Sequence, residues 1–247
     1  MANQDRFIEG LAQFDIVCTD IQLKQFQQYY EILTKWNQVM NLTAITEYEE
    51  VVTKHFLDSV SLVKILPDLL DQQKNHGKKL LDLGTGAGFP GIPLKIIFPV
   101  ISITLMDSLN KRIQFLQEVI LSLGLKEIVA VHARAEEVAK REDYREQFDL
   151  CVSRAVARLN SLAELCLPFV KKGGFFIPYK AAKISEELQE ASFAISQLGG
   201  KVKKSKTFLL PNSDMERSLV LIEKVKMTSS FYPRSGGKPL KAPLQNK

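Results

Sequence analysis

The chain has 247 residues, 45% of them hydrophobic, which is enough to bury one full α/β core with a small appendage. Its formal net charge of +5 favours a polyanion such as nucleic acid as partner only weakly, because many proteins with this excess bind none. Cys18, Cys151 and Cys166 have no disulfide or metal-like spacing and no segment reaches the roughly 18 apolar residues of a membrane span, so we expect a soluble, cytoplasmic protein without metal.

Two helices are predicted in the N-terminal part. Apolar residues recur at steps of three and four from Ile21 to Trp36, with Asp20 as the cap, and a second helix is predicted over 49–66. Four polar residues lie in apolar surroundings here, and they either cap and pack the helix ends or line the edge of a pocket. They are Asn37, Asn41, His55 and Asp58.

From Lys79 onward strands and helices alternate strictly, which is typical of a parallel sheet covered on both faces. The polar stretch before it, 71–79, is predicted to be a linker. Strands are predicted at 80–83, 102–106, 128–132, 148–152 and 174–179. Helices are predicted at 92–98, 111–123, 135–141, 159–170 and 184–198. Two more strands, within 201–210 and 217–225, form a hairpin that closes the sheet edge.

The predicted organisation is an N-terminal helical extension packed on the core (1–78), an α/β domain (79–225) and a basic tail (226–247). From Lys224 to Lys247 the sequence has six Lys or Arg and no acid, and its prolines and glycines favour an extended tail over a folded element. The tail either binds phosphates or acts as a structural strap.

A glycine-rich loop follows the first strand of the α/β domain. Gly84, Gly86 and Gly88 allow a sharp turn and a close approach of a ligand to the backbone. The loop alone is compatible with phosphate, a dinucleotide or S-adenosylmethionine, and it matches the weak pattern G-x-G-x-x-G. Asp82, two residues before the first glycine, would repel a pyrophosphate and suits the sulfonium and amino groups of S-adenosylmethionine.

An acid is expected at the end of the second strand, about 20 residues past the glycines, where nucleoside-binding folds contact the ribose. Asp107 lies there, and its alternative role is to cap the helix that begins near Lys111. After the third strand, Ala135 and Glu136 fall where a methyltransferase of this fold contacts adenine. The alternative role of Glu136 is that of an acid that caps the following helix.

The segment after the fourth strand, "VSRAVARLN", bears on the acceptor. It has no Asn/Asp-Pro-Pro-aromatic turn, which disfavours an exocyclic amine, and no Pro-Cys turn, which disfavours carbon-5 methylation. Arginines are present instead: Arg134, Arg154 and Arg217. A guanidinium suits the edge of a guanine and nearby phosphates, and the alternative for each arginine is a surface salt bridge.

The motifs "WNQVMNLTAI", "HFLDSV", "DLGTGAGFPGIPL", "DSLNKRIQFL", "SRAVA" and "YPRSGGKPLKAPL" together resemble a bacterial family. This is the family of 16S ribosomal RNA guanine-N7 methyltransferases, also called glucose-inhibited division protein B. The resemblance covers nearly the whole chain. It implies a Rossmann-like class I S-adenosylmethionine-dependent methyltransferase fold, with a mostly parallel seven-stranded sheet, helices on both faces and an N-terminal helical extension.

The resemblance also implies S-adenosylmethionine as methyl donor and 16S rRNA, in the small ribosomal subunit or its assembly intermediate, as partner of a monomer. Arg134 and Arg217 are implied to serve the RNA or catalysis. Donor contacts are implied for Gly84, Phe89, Asp107, Ala135, Glu136 and Arg154. Together with Asp82 before the loop and with Gly86 and Gly88 in the loop, these residues form the predicted donor site.

The implied chemistry fits the residues, because guanine N7 has a lone pair and no proton, so that methyl transfer needs alignment and removal of water but no general base. Three alternatives stay open. A nicotinamide-dependent oxidoreductase is opposed by Asp82 and by the lack of a Tyr-x-x-x-Lys set. A non-enzymatic RNA-binding or assembly protein would leave the glycine loop unused, and a methyltransferase could have a different RNA acceptor.

Overall fold

The structure is a computed structural model that describes residues 2–154, 157–181 and 184–246. Seven strands of the described chain form one sheet: β1 (Lys79–Leu83), β2 (Ser102–Asp107), β3 (Ile128–His132), β4 (Phe148–Ser153), β5 (Val170–Ala181), β6 (Gly200–Leu209) and β7 (Glu216–Lys224). Their order is β3-β2-β1-β4-β5-β7-β6, and β7 runs antiparallel to both β5 and β6 while the others are parallel. The predicted seven-stranded, mostly parallel sheet is confirmed.

The central strands are apolar in succession because helices cover both faces of the sheet. On β1, Leu80 belongs to a core that the N-terminal helices share, and Leu81 belongs to a second core on the opposite face. The first face, which also carries Leu105, Leu219 and Leu221, is called the extension face below. The site described later lies where this face meets the carboxyl ends of the strands.

The extension contains α1 (Ala2–Ala12), α2 (Asp20–Met40), α3 (Tyr48–Val51), a π-helical turn (Val52–Leu57) and α4 (Asp58–Val60), followed by 3-10 turns and α5 (Gln72–Asn75). The helix α2 is confirmed, but Thr19 is its cap instead of Asp20, through a capping box with Gln22. The segment predicted as one helix, 49–66, is interrupted by the π turn and ends in a 3-10 turn. The predicted linker 71–79 contains α5, where buried Asn75 donates to the carbonyls of Asp68 and Asp71.

The remaining helices are α6 (Gly91–Ile97), α7 (Asn110–Ser122), α8 (Ala135–Val138), α9 (Leu159–Cys166), α10 (Ser185–Gln197) and α11 (Lys238–Lys241). Two predicted bounds are wrong. The helix predicted over 135–141 ends at Val138, and that over 159–170 becomes a 3-10 turn at Leu167–Phe169. Pro168 lacks an amide hydrogen and cannot continue an α-helix, so β5 begins at Val170, four residues earlier than predicted.

The basic tail is docked on the domain, which corrects the prediction that it is extended. Arg234 donates through Nε and Nη2 to both oxygens of Glu164, a side chain that is fully buried in α9. Arg145 donates to the carbonyls of Thr228 and Tyr232. The segment has little apolar surface, and these charged hydrogen bonds hold it on the domain in its place. They fix the path of the segment across the second core.

Candidate functional site

The predicted site residues lie along one edge of the sheet. The parallel strands β1 to β4 end at this edge, and because β7 runs the other way, its early residue Arg217 is placed there too, opposite Ala181 of β5. Ligands of open α/β sheets bind outside the carboxyl ends of the strands, at the point where the strand order reverses. Here that point is β1, because β2 lies on one side of it and β4 lies on the other.

The glycine loop follows β1 directly. Gly86 and Gly88 have φ of +61° and +94°, which is the left-handed region that favours glycine. A Cβ at Gly88 would meet Ile92 and the Tyr29 hydroxyl at 2.6 and 2.8 Å, so close packing also requires this glycine. A Cβ at Gly86 would have no atom within 4 Å. The loop is therefore packed against the protein at Gly88 and open at Gly86, where a ligand can approach the backbone.

Asp82 of β1 holds this loop through hydrogen bonds. Its side chain is fully buried, and Oδ2 accepts hydrogen bonds from Thr85 Oγ1 at 2.6 Å and from the Gly91 amide at 2.8 Å. Burial raises the pKa of this carboxyl to about 6, against the lowering effect of these hydrogen bonds. Within the described residues Oδ1 has no hydrogen-bond partner. The contacts of Asp82 thus stabilise the loop, and its contact with a donor stays a prediction.

Asp107 connects the loop to β2. Its carboxylate, 4% exposed, accepts from the amides of Gly86 and Leu109, each at 3.0 Å, and pairs with Arg112 at 3.1 Å. Leu109, and not Asp107, is the N-cap residue of α7. Asp107 therefore holds the glycine loop beside the end of β2, at the position where a ribose contact is predicted.

The residues after β3 form a separate group at this edge. Ala135 and Glu136 are half-buried at the start of α8, and Arg134 is the exposed N-cap residue. Arg134 follows β3 and Arg217 lies on β7, five strand spacings apart, or roughly 24 Å at about 4.8 Å per spacing. The structure places Arg134 next to the predicted adenine contacts and Arg217 in the cleft described next.

A cleft of about 740 Å³ lies between the extension and the ends of β4, β5 and β7. Its charged side chains are mostly cationic: Lys54, Arg154, Arg158, Lys180 and Arg217 face Asp58 and Glu187. Arg154 and Arg217, which the sequence singled out, come together here. The cleft is suited to a ligand that carries hydrogen-bond acceptors or negative charge.

Asp58 joins the two arginines. Arg154 Nη1 donates to Asp58 Oδ2 at 3.0 Å and to the Lys54 carbonyl at 2.9 Å. Arg217 Nε lies 3.3 Å from Asp58 Oδ1, an ion pair without good hydrogen-bond alignment. The carboxylate is 5% exposed and the two guanidinium side chains are 18% and 24% exposed. Asp58 therefore holds both arginines, and within the described residues Arg154 Nε and Arg217 Nη2 make no hydrogen bond.

His55 and Phe89 connect the cleft to the glycine loop. The two rings stack at 4.5 Å between centroids, and the Arg154 guanidinium lies 5.0 Å from the centroid of the Phe89 ring. His55 Nδ1 lies 3.1 Å from Arg154 Nη2 and 3.0 Å from the Lys54 carbonyl, and its Nε2 lies 2.9 Å from Thr43 Oγ1. Burial, together with Arg154, lowers the pKa of His55 to about 3, so that the ring is neutral.

The structure decides between the two roles that were open for the four polar residues of the extension. His55 and Asp58 line the cleft. Asn41 is the C-cap residue of α2 with φ of +47°, and Asn37 Oδ1 accepts from the Thr43 amide, so these two serve local structure. In the "SRAVA" motif, Ala155 and Val156 lie outside the described residues.

Tyr29 is a site residue that sequence reasoning missed. It is fully buried in α2, packs on Phe89 at 5.4 Å between ring centroids and donates from its hydroxyl to the carbonyl of Ala87 in the glycine loop. In the sequence it is one apolar position of an amphipathic helix. A buried tyrosine hydroxyl requires a partner, but no sequence signal indicates which one.

Within 2–154, 157–181 and 184–246, no helix is long and apolar enough to cross a membrane. In the same part of the chain, no group of three or more His, Cys, Asp or Glu side chains is placed to hold a metal ion.

The sheet order, the glycine loop after β1 and the acid after β2 define a class I S-adenosylmethionine-dependent methyltransferase fold. Solved structures agree. A variant of MtNAS in complex with S-adenosylmethionine is similar with a TM-score of 0.53 at 15% identity, over 83% of this chain and 72% of that one. A putative sarcosine dimethylglycine methyltransferase from Galdieria sulphuraria is similar with a TM-score of 0.53 at 13% identity, over 72% and 88%. At these identities the likeness shows the fold.

Closer relatives define the family. The family model described as "GidB: rRNA small subunit methyltransferase G" matches residues 22–220. The chain is 59% identical to ribosomal RNA small subunit methyltransferase G of Lachnoclostridium phytofermentans over the full length of both. It is 50% identical to the protein of that name from Alkaliphilus metalliredigens, over 96% of this chain and 97% of that one. The chain belongs to the rRNA small subunit methyltransferase G family, which confirms the resemblance, and S-adenosylmethionine as its methyl donor agrees with both family and fold.

Proposed function

We propose that the protein transfers a methyl group from S-adenosylmethionine to N7 of a guanine in the 16S rRNA of the small ribosomal subunit, acting as a monomer in the cytoplasm. One observation carries the proposal: the cleft lined by Arg154 and Arg217 adjoins the glycine loop through Arg154, whose guanidinium lies over Phe89 of that loop. A donor on the loop and a base in the cleft would then be neighbours.

The donor is proposed to lie along the loop and the ends of β2 and β3. Gly86 leaves its backbone open, and Asp107 and Glu136 lie at the ends of the next two strands, where ribose and adenine contacts are expected. When bound, S-adenosylmethionine supplies a methyl group activated by the sulfonium. Arg154, whose guanidinium contacts Phe89, is proposed to border the donor as well as the base.

The arginines suit guanine because they only donate. A guanidinium that donates to guanine O6 holds the base and leaves the N7 lone pair free. N7 carries no proton, so no base has to remove one, and burial lowers the pKa of His55 to about 3, which makes this ring a poor base. The cleft therefore contributes alignment and exclusion of water, the two requirements of this transfer.

Asp58 explains how a cationic cleft tolerates a cationic product. Methyl transfer moves the positive charge of the sulfonium to the guanine ring. The carboxylate between Arg154 and Arg217 offsets one of their two charges, so that the base meets a site with a smaller excess of positive charge. Since Asp58 belongs to the extension, we propose that residues 1–78 complete the site on the α/β domain.

The test supplies labelled S-adenosylmethionine and small subunits from cells that lack this gene, followed by digestion of the RNA and identification of the labelled nucleoside. We expect 7-methylguanosine. Arg154→Ala should abolish the label while the protein stays folded. The control is Arg141→Ala, an exposed arginine that pairs with exposed Asp143. Label in another nucleoside would overturn the acceptor, and no label from a protein that binds the donor would overturn the proposed activity.

A further inference from the structure

The edge strand β6 carries a concentration of positive charge outside the cleft. Its sequence is GKVKKSKTFL, with lysines at 201, 203, 204 and 206 and no acid. All side chains from Lys201 to Thr207 are exposed. A strand at the end of a sheet has one free edge, and β6 is the end strand of this sheet.

A β-bulge determines which of these lysines face the cleft side. The register of β6 on β7 shifts between Val202 and Lys204, so that Lys203 is the extra residue. After the bulge, Lys204 pairs with Leu221 and Lys206 with Leu219. Residues that pair directly across two strands point to the same face of the sheet. Lys204 and Lys206 therefore lie on the extension face.

Arg217 is on the same face. Phe208 of β6 pairs with Arg217, and Arg217, Leu219 and Leu221 are alternate residues of β7. At about 3.3 Å per residue, Lys206 lies roughly 7 Å and Lys204 roughly 13 Å along the strand from the level of Arg217. Without the bulge, Lys203 and Ser205 would occupy these two positions, because a shift of one residue exchanges the faces.

The charges of these two lysines are free for a ligand. Lys203, the bulged residue, pairs with Glu223 at 3.1 Å. Among the described residues, no carboxylate lies within 4.0 Å of the ammonium group of Lys204 or Lys206. Two uncompensated cations in line with an arginine of the cleft form a short row, which is the arrangement that a chain of phosphates fits.

We propose that Lys204, Lys206 and Arg217 form a cation row that binds the phosphate backbone of the RNA strand whose guanine enters the cleft. The inference rests on the proposed function, from which it takes the RNA. A single-stranded segment is favoured over a duplex, because the base that enters the cleft must be unstacked while its strand continues along β6. The row thus sets the direction in which the RNA leaves the site.

The test compares Lys204→Glu/Lys206→Glu with the control Lys126→Glu/Lys172→Glu. The control removes the same charge from two exposed lysines near the starts of β3 and β5, at the opposite edge of the sheet. Binding of unmethylated 16S rRNA is measured at several salt concentrations. For the row variant we expect at least about tenfold weaker binding and a salt slope smaller by about 1.4, at about 0.7 per lost phosphate contact on single strands. The KM for RNA should rise, while kcat and the affinity for S-adenosylmethionine stay unchanged.

Equal weakening by both double variants would mean that net charge alone matters, and it would overturn the cation row. Unchanged binding by the row variant would also overturn it and leave the lysines as protection of the sheet edge against aggregation. If the wild-type protein transferred no methyl group, the proposed function would fail. The comparison of RNA affinities would still decide whether the row binds RNA.

Discussion

Asp58 faces both arginines of the cleft and is nearly buried. We expect Asp58→Asn to lower methyl transfer at least about tenfold, because without the anion the two guanidinium groups repel each other and leave the positions in which they meet the base. The free energy of unfolding should fall by about 2 kcal/mol, the usual contribution of a hydrogen bond to a charged group. Transfer is measured with saturating donor over a range of RNA concentrations, well below the melting temperature.

The matched control is Asp143→Asn, which breaks an exposed pair with Arg141 and should leave both transfer and melting unchanged. If Asp58→Asn lowered the melting temperature but kept full transfer at low temperature, Asp58 would support the fold alone. A rise in KM for RNA with unchanged kcat would assign it to binding of the base, and a fall in kcat to its alignment.

At the scale of single residues, the sequence located the site better than it explained the contacts. Asp82 and Asp107 were placed correctly at the ends of β1 and β2, because strand ends are visible as the last residues of apolar runs. Their hydrogen bonds to Gly91 and Gly86 could not be predicted, since they depend on the fold of the glycine loop. Nothing in the sequence indicates the contacts of Asp58, because its partners Arg154 and Arg217 lie far away along the chain.

At the scale of elements, α2 supports the glycine loop through Tyr29. We expect Tyr29→Phe to lower the free energy of unfolding by about 1 kcal/mol, since it leaves the buried carbonyl of Ala87 without its donor. The affinity for S-adenosylmethionine should fall severalfold, because the loop loses a contact that fixes its backbone. Donor titration and thermal melting measure the two effects.

The neighbouring residue provides the control. Tyr30 donates to the Thr46 carbonyl at 3.0 Å in an exposed position away from the loop, so Tyr30→Phe should not change donor affinity. Equal donor affinities of the two variants would contradict a role of Tyr29 in shaping the loop.

The elements themselves were largely predictable, and the exceptions have physical causes. Strands flanked by turn residues were predicted within a few residues, as for Ile128–His132. The helix Ala2–Ala12 was not predicted, although Phe7, Leu11 and Phe14 recur at helical steps and are buried against the extension. The π turn Val52–Leu57 was not predictable, because a single wider turn leaves no pattern in the spacing of apolar residues.

At the scale of the whole molecule, the cleft exists because two parts of the chain meet. The sheet contributes Arg154 and Arg217, and the extension contributes His55 and Asp58. The core of the extension face is shared by both parts, so the extension cannot move away without exposing it. A sequence shows the two parts but not their contact, which is why the cleft, unlike the glycine loop, emerged only with the structure.

At the same scale, we make a prediction about the docked tail. Glu164 is fully buried and its charge is compensated by Arg234 from the tail, so Arg234→Ala leaves a buried carboxylate without an opposite charge, still accepting from the backbone amide of residue 234. Removal of one partner of such a pair costs about 3 to 5 kcal/mol. We expect a clearly lower melting temperature and, at temperatures where the protein is folded, unchanged affinity for RNA.

The double variant Glu164→Gln/Arg234→Gln separates the two roles that the basic sequence of the tail allows. It removes the buried charge together with its partner, and we expect it to recover much of the stability that Arg234→Ala loses. If the tail instead bound RNA through Arg234, both variants would lose RNA affinity to the same extent whatever their stability. Recovery of stability with RNA affinity unchanged throughout would establish the tail as a strap that holds α9, and would leave the binding of phosphates to the cleft and to the row of cations on β6.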